Sequence, residues 1–234
     1  MSNCQKSAIL FILALLLVKA YQKKEDKTKC PVVKGSRNFN IDSFLGSWYV
    51  VQYYATSEED IMYKCMRAVF YMSDKMGLAM NFTYSFADDP ENEILYGNIT
   101  WVIPDTSQPS HWIHAEDIYE GIYNTYVLDC NDSSWSLLLH CAEKRKSPRY
   151  LTSLLLSRNT TLPQGVISFL RDKLPRYDIN LDYMFDMTQS NCEEPTKNLH
   201  YASKKTKSSK AKHPLKRKAR LTKSKTAKQR AKSN

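Results

Sequence analysis

Thiols and sequon asparagines are the residues in this chain whose types and spacing can do covalent chemistry. Cysteines stand at 4, 30, 65, 130, 141 and 192, and in an oxidising compartment such thiols pair. If Cys4 leaves with a cleaved leader, Cys30, Cys65, Cys130, Cys141 and Cys192 remain. That odd number leaves one thiol over and allows fifteen pairings that spacing alone does not resolve. Asn81-Phe82-Thr83, Asn98-Ile99-Thr100, Asn131-Asp132-Ser133 and Asn159-Thr160-Thr161 are four acceptor sequons for glycosylation at Asn81, Asn98, Asn131 and Asn159. His111, His114 and His140 show no metal-ligand spacing beyond alternation along a strand. No metal and no cofactor is expected.

The start of the chain says where such chemistry would happen. Met1 to Lys6 carries one positive charge, Ala8 to Val18 is wholly apolar, and Val18-Lys19-Ala20 supplies small residues at a cut. Eleven apolar residues are too few to span a bilayer, so residues 1–20 read as a secretory signal peptide. The mature protein is expected to be secreted, soluble and extracellular. Residues 21–195 are enough for one domain with a sizeable core. They hold 17 Lys or Arg against 24 Asp or Glu, a net −7, whereas residues 196–234 hold fifteen Lys or Arg and no acid. The formal +10 therefore joins an acidic domain to a basic tail.

The elements that would position these residues are mostly strands. Gly46-Ser47-Trp48-Tyr49-Val50-Val51-Gln52-Tyr53-Tyr54 is rich in aromatic and β-branched residues, which suit a pleated, half-buried surface. Further strands read at 65–72, 78–86, 94–103, 111–118, 123–128, 135–141 and 150–157, split mostly by short turns such as Asp88-Asp89-Pro90. Eight short strands in succession favour an antiparallel meander closed as a barrel or sandwich. The period then changes. Val166, Ile167, Leu170 and Leu174 recur at helical spacing between Pro163, in the first turn, and Pro175, just beyond the end. This predicts one helix over 163–174 lying outside the barrel, with a final strand over 181–187.

The segment from Cys30-Pro31 through Asn38-Phe39 and Phe44-Leu45-Gly46-Ser47-Trp48-Tyr49 to Cys65 resembles the start of a lipocalin. The likeness is nearest to the apolipoprotein D-like lipocalins of animals, insect members included. Leu154-Leu155-Leu156-Ser157-Arg158-Asn159 is similar to the family's third motif, and Leu162-Pro163 with its helix and Thr188-Gln189-Ser190-Asn191-Cys192 continues the match. The resemblance covers residues 30 to 192, with specific ends and a looser middle. It implies an all-β fold: an eight-stranded up-and-down barrel with one C-terminal helix packed outside. The second motif, Thr-Asp-Tyr in the family, stands here as Leu128-Asp129-Cys130, so receptor contacts ascribed to that loop are not carried over.

By the same resemblance, Arg158 lays its guanidinium over the indole of Trp48 where the barrel closes. Cys30 pairs with Cys141 and Cys65 with Cys192, leaving Cys130 over. That thiol is either buried or available for an intermolecular disulfide. Lipocalin-like barrels include an isomerase working through a thiol inside its cavity, but Cys130 falls at a strand end near the closed base, with no base evident beside it. The chain is expected not to be an enzyme.

An eight-stranded barrel encloses one small ligand. A glycosylated asparagine must face water, and strand alternation then places its neighbours. With Asn81 outward, Leu78, Met80, Phe82 and Tyr84 point inward; with Asn98 outward, Leu95, Ile99 and Trp101 do. Met66, Phe70 and Met72 share a face of the second strand, Leu154 and Leu156 one of the eighth, and His114 is a further candidate for the lining. The expected lining is apolar, aromatic and rich in methionine, without fixed charge. The expected function is a secreted carrier or sequestering protein for a fatty acid, sterol, retinoid or similar lipid.

The alternative is an extracellular interaction protein whose tail, Lys197 to Asn234, binds sulfated glycans or anionic lipid surfaces, with the barrel as scaffold. The tail has almost no large apolar residue, so it is expected to be disordered. Arg217-Lys218-Ala219-Arg220 offers a processing site within it. Nucleic acid is not an expected partner of an exported chain.

Overall fold

Gly46 takes a left-handed backbone (φ +95°), a conformation costly to any residue with a Cβ. From it departs strand β1 (Gly46–Ala55) of the computed structural model. The structure describes residues 26–57, 60, 62–73, 77–115, 122–131, 133–144 and 147–193. The chain divides into two units, Met1–Glu194 and Pro195–Asn234, and every described residue belongs to the first. The leader at 1–20, Cys4, the end of the expected fifth strand at 116–118 and the basic tail at 196–234 lie outside the described residues.

After β1 come β2 (Tyr63–Ser73), β3 (Gly77–Phe86), β4 (Leu95–Trp101), β5 (His111–Ala115), β6 (Ile122–Asn131), β7 (Trp135–Ala142) and β8 (Tyr150–Ser157). Each pairs antiparallel with its sequence neighbour, except that β4 and β5 meet only through a bridge; β1 also pairs with β8. The order β4-β3-β2-β1-β8-β7-β6-β5 brings β4 back to β5. There Val102 and Ile113 exchange two backbone hydrogen bonds of 2.8 and 2.9 Å. The result is a nearly closed eight-stranded barrel.

Alternation sorts the strands into an inner and an outer cluster. A bulge between Val50 and Gln52 shifts the phase of β1. Trp48, Val50, Tyr53 and Ala55 therefore face the interior, while Val51 and Tyr54 join Leu137, Leu139 and Leu155 on the outer wall. Helix α2 (Gln164–Arg171) covers that wall with Leu170, and Leu174 follows it into the same cluster, both wholly buried. A four-residue helix, α1 (Ile41–Phe44), precedes β1. Its start is capped by the Asn40 side chain, which accepts from the Ser43 N–H at 3.1 Å.

The helix is shorter than the sequence pattern predicts. Pro163 is its N-cap and not part of its first turn, and it ends at Arg171 before a 3-10 turn, Pro175–Tyr177. The expected last strand is mostly a second 3-10 turn, Leu181–Tyr183, because the Asn180 side chain accepts from the Asp182 N–H and curls the chain. Only β9 (Phe185–Asp186) remains, paired with β1 at Gln52 and Tyr53.

Disulfides Cys30–Cys141 and Cys65–Cys192, with Cα separations of 5.9 and 5.5 Å, tie the lead-in to β7 and the C-terminal segment to β2. Arg149 fastens the lead-in further. Its guanidinium donates to the carbonyl oxygens of Asp26 (3.0 Å) and Lys29 (2.7 Å) and to the Asp178 carboxylate (2.8 Å).

Candidate ligand cavity

One end of the barrel is filled. Trp48, only 1% exposed, donates its indole N–H to the Phe44 carbonyl at 2.8 Å. The Arg158 guanidinium carbon lies 3.6 Å from the centroid of the Trp48 ring system. Its nitrogens donate to the carbonyl oxygens of Ser43, Phe44, Leu45 and Ser47 at 2.8 to 3.1 Å. Phe44 packs on Phe70 with ring centroids 4.7 Å apart, and Trp112 lies 5.6 Å from Phe44 and 5.7 Å from Trp101. These aromatic rings leave no room for a ligand at this end.

Beyond them lies a cavity of about 290 Å³. Its apolar wall is Met66 of β2, Met80 and Phe82 of β3, Ile99 and Trp101 of β4, and Leu154 of β8. The rest of its lining is Tyr53 of β1, His114 of β5, Tyr123 of β6, His140 of β7, and Tyr150 and Thr152 of β8. Register sets these side by side: His114 pairs with Tyr123 across β5 and β6, and His140 pairs with Thr152 across β7 and β8. The His114 and Tyr123 rings stack with centroids 4.7 Å apart.

A buried hydrogen-bond chain stands behind this wall. The Trp101 indole N–H donates to Thr125 Oγ1 at 3.0 Å, and Thr125 Oγ1 lies 2.8 Å from His140 Nδ1. Which of the two donates follows the tautomer of the imidazole. Burial, and secondarily the neighbouring His114, lower the His140 pKa to about 3, so this imidazole is neutral near pH 7.

Six of the twelve residues expected from the sequence line the cavity: Met66, Met80, Phe82, Ile99, Trp101 and Leu154. Phe70, Leu78 and Leu156 also pack in the inner cluster but away from the cavity, buried in solid core. Tyr84 sits in an aromatic group with Tyr63 (5.3 Å), Phe86 (5.8 Å) and Phe82 (6.1 Å), opposite Leu95, and neither touches the cavity. Met72 is 45% exposed, which corrects its expected inward role: β1 begins at Gly46 opposite Phe70, so Met72 runs past the edge of the barrel. The polar half of the lining, Tyr53, Tyr123, His140, Tyr150 and Thr152, was not anticipated. Its one available signal was alternation on β7 and β8, where His140 and Thr152 share parity with Leu138 and Leu154.

Asn81 and Asn98 are direct cross-strand partners away from the cavity. The Asn98 side chain is exposed and donates to Asn81 Oδ1 at 2.6 Å, whereas Asn81 is only 8% exposed. Asn131 and Asn159 are exposed. Cys130 stands outside both disulfides, half-buried against the inner cluster. Asp129 pairs with Lys173 at 2.8 Å.

No protein-family model matches the chain. Apolipoprotein D of Cavia porcellus is 26% identical over 203 residues, covering 80% of this chain and 96% of that protein. Apolipoprotein D of Bos taurus is 26% identical over 182 residues, covering 71% and 85%. The crystal structure of apocrustacyanin C1 superposes with a TM-score of 0.52 at 16% identity, over 72% of this chain and 96% of that one. The chain has the lipocalin fold and is similar in sequence to apolipoprotein D. Apocrustacyanin C2 gives the same TM-score at 15% identity, over 72% and 94%. In this lipocalin fold the filled end carries Gly46, Trp48 and Arg158, and the cavity lies beyond them, toward the opposite end.

Proposed function

We propose that this lipocalin is a secreted carrier or sequestering protein for a small hydrophobic molecule of the fatty acid, sterol or retinoid type. The observation that carries the reading is the cavity of about 290 Å³ with Met66, Met80, Phe82, Ile99, Trp101 and Leu154 in its lining. That size sits near the lower end of the roughly 300–1,000 Å³ usual for ligand pockets, which favours a slender or compact ligand. Burial drives binding at roughly 25 cal/mol per Å² of apolar surface. Two disulfides, four sequons and the apolar leader support an extracellular setting.

The test is tryptophan fluorescence during titration with a retinoid, a sterol and a long-chain fatty acid, because Trp101 lines the cavity. We expect quenching or a spectral shift with at least one ligand at about micromolar affinity or tighter. Silence across the whole panel would remove the carrier reading.

A second reading is favoured by one observation, the fifteen Lys or Arg and no acid in residues 196–234. In it the tail binds sulfated glycans or anionic lipid surfaces and the barrel serves as scaffold. Under either reading Cys130, half-buried at the end of β6, is a candidate for an intermolecular disulfide.

A further inference from the structure

The two walls of the cavity differ in kind. Met66, Met80, Phe82 and Ile99 offer no hydrogen bond, whereas His114, Tyr123, His140 and Thr152 bring polar atoms from four consecutive strands. Thr152 is more than nine-tenths buried, and its Oγ1 has no hydrogen-bond partner among the described residues. A buried hydroxyl left in that state keeps its desolvation cost unrepaid, so the site is built to receive a polar group from outside the chain. A purely hydrocarbon ligand would leave it unanswered.

The charge of that group follows from the lining. No lysine or arginine is in it. A carboxylate drawn against Thr152 and His140 would lose its hydration with no cation in the lining, a heavy cost in a low-dielectric site; Lys144 lies outside the lining, its Nζ 5.3 Å from the Tyr150 ring centroid. Nor does His140 supply the missing charge, since burial keeps it neutral near pH 7. A hydroxyl or a carbonyl oxygen carries no such cost. It can exchange hydrogen bonds with the Thr152 hydroxyl, which both donates and accepts, and with the second ring nitrogen of the neutral imidazole, whose Nδ1 is engaged by Thr125.

We infer that the cavity selects a lipid bearing a single neutral oxygen, an alcohol or a ketone, over the corresponding carboxylic acid, with that oxygen placed at Thr152 and His140 between β7 and β8. The inference rests on the carrier reading and narrows it to one ligand class. The oxygen lies on the β5-to-β8 side, and the hydrocarbon lies against the methionines, Phe82 and Ile99.

A matched pair of ligands tests it. 1-Dodecanol and dodecanoic acid share a chain length and differ only at the head. Calorimetric titration of the secreted full-length protein at pH 7.4 should show the alcohol bound about tenfold or more tightly than the acid. In Thr152→Val, which keeps the branched shape and removes the hydroxyl, the alcohol's advantage should shrink by about fivefold. Equal or tighter binding of the acid would overturn the inference, and so would an unchanged ratio in Thr152→Val. Either result alongside binding in the retinoid, sterol and fatty acid panel would leave the carrier reading standing. Absence of binding by both dodecyl ligands and by the whole panel would overturn the two together.

Discussion

At Arg158 one guanidinium lies over the Trp48 indole and at the same time reaches the carbonyl oxygens that end α1 and lead into β1. Carbonyls at a helix end have no partner within the helix, and a planar fork of donors can serve several of them, which an ammonium group does poorly. His140 presents the opposite case, a titratable side chain kept uncharged. Its pKa falls from 6.5 to about 3 through burial and then His114, so above pH 6.5 folded and unfolded chains are both neutral there. Between pH 6.5 and 3 only the unfolded chain takes the proton, and stability is lost as pH falls. From pH 7.5 to pH 5 this loss should be about 2 kcal/mol by urea denaturation. Asp26, Asp105 and Glu143 are all held below their usual carboxylate values, chiefly by side-chain hydrogen bonds from Thr28, Ser107 and Lys29. They therefore stay ionised through that window. His140→Gln should flatten the slope. An equally steep slope in that variant would show that the loss comes from another group.

Helix α2 and the strand walls divide the labour between stability and binding. Leu170 is wholly buried in the outer cluster with Leu137, Leu139 and Leu155, on the far side of the sheet from the cavity. Leu170→Ala should therefore cost about 2–5 kcal/mol of unfolding free energy while leaving ligand affinity within about twofold. A parallel collapse of affinity would show that the wall transmits strain from helix to cavity. This division explains what the sequence made legible. The alternation of β3 and β4 could be anchored on Asn81 and Asn98, and Met80, Phe82, Ile99 and Trp101 then fell on the inner face; Met66 was read from alternation along β2 alone. Depth along the barrel was not legible. Nothing in the order of residues says that Phe39, Phe44 and Trp112 fill the closed end and turn Phe70, Leu78 and Leu156 into core. Polar lining was illegible for another reason. His140 and Thr152 have the composition of an outward face, and only their shared parity with the inward Leu138 and Leu154 argued otherwise. The helix ran short because Pro163 serves as its cap and Leu174 falls just before Pro175, which sits at the first position of the following 3-10 turn.

For the whole molecule the governing quantity is the split of charge. Residues 21–195 sum to −7, and residues 196–234 carry fifteen cations with no acid. A net value of +10 would suggest a uniformly basic surface, whereas any attraction to polyanions should reside in one segment. Full-length protein should therefore be retained on immobilised heparin at 0.15 M salt and elute only at several times that ionic strength, where the screening length falls to about 3–5 Å. A chain lacking Lys197 to Asn234 should pass through unretained, because the remaining acidic domain is repelled by sulfate groups. Its affinity for a lipid ligand should be unchanged, since every residue lining the cavity lies before position 155. Retention of the shortened chain would place the polyanion site on the barrel itself. Loss of lipid binding together with heparin binding would show that carrier and tail act as one device.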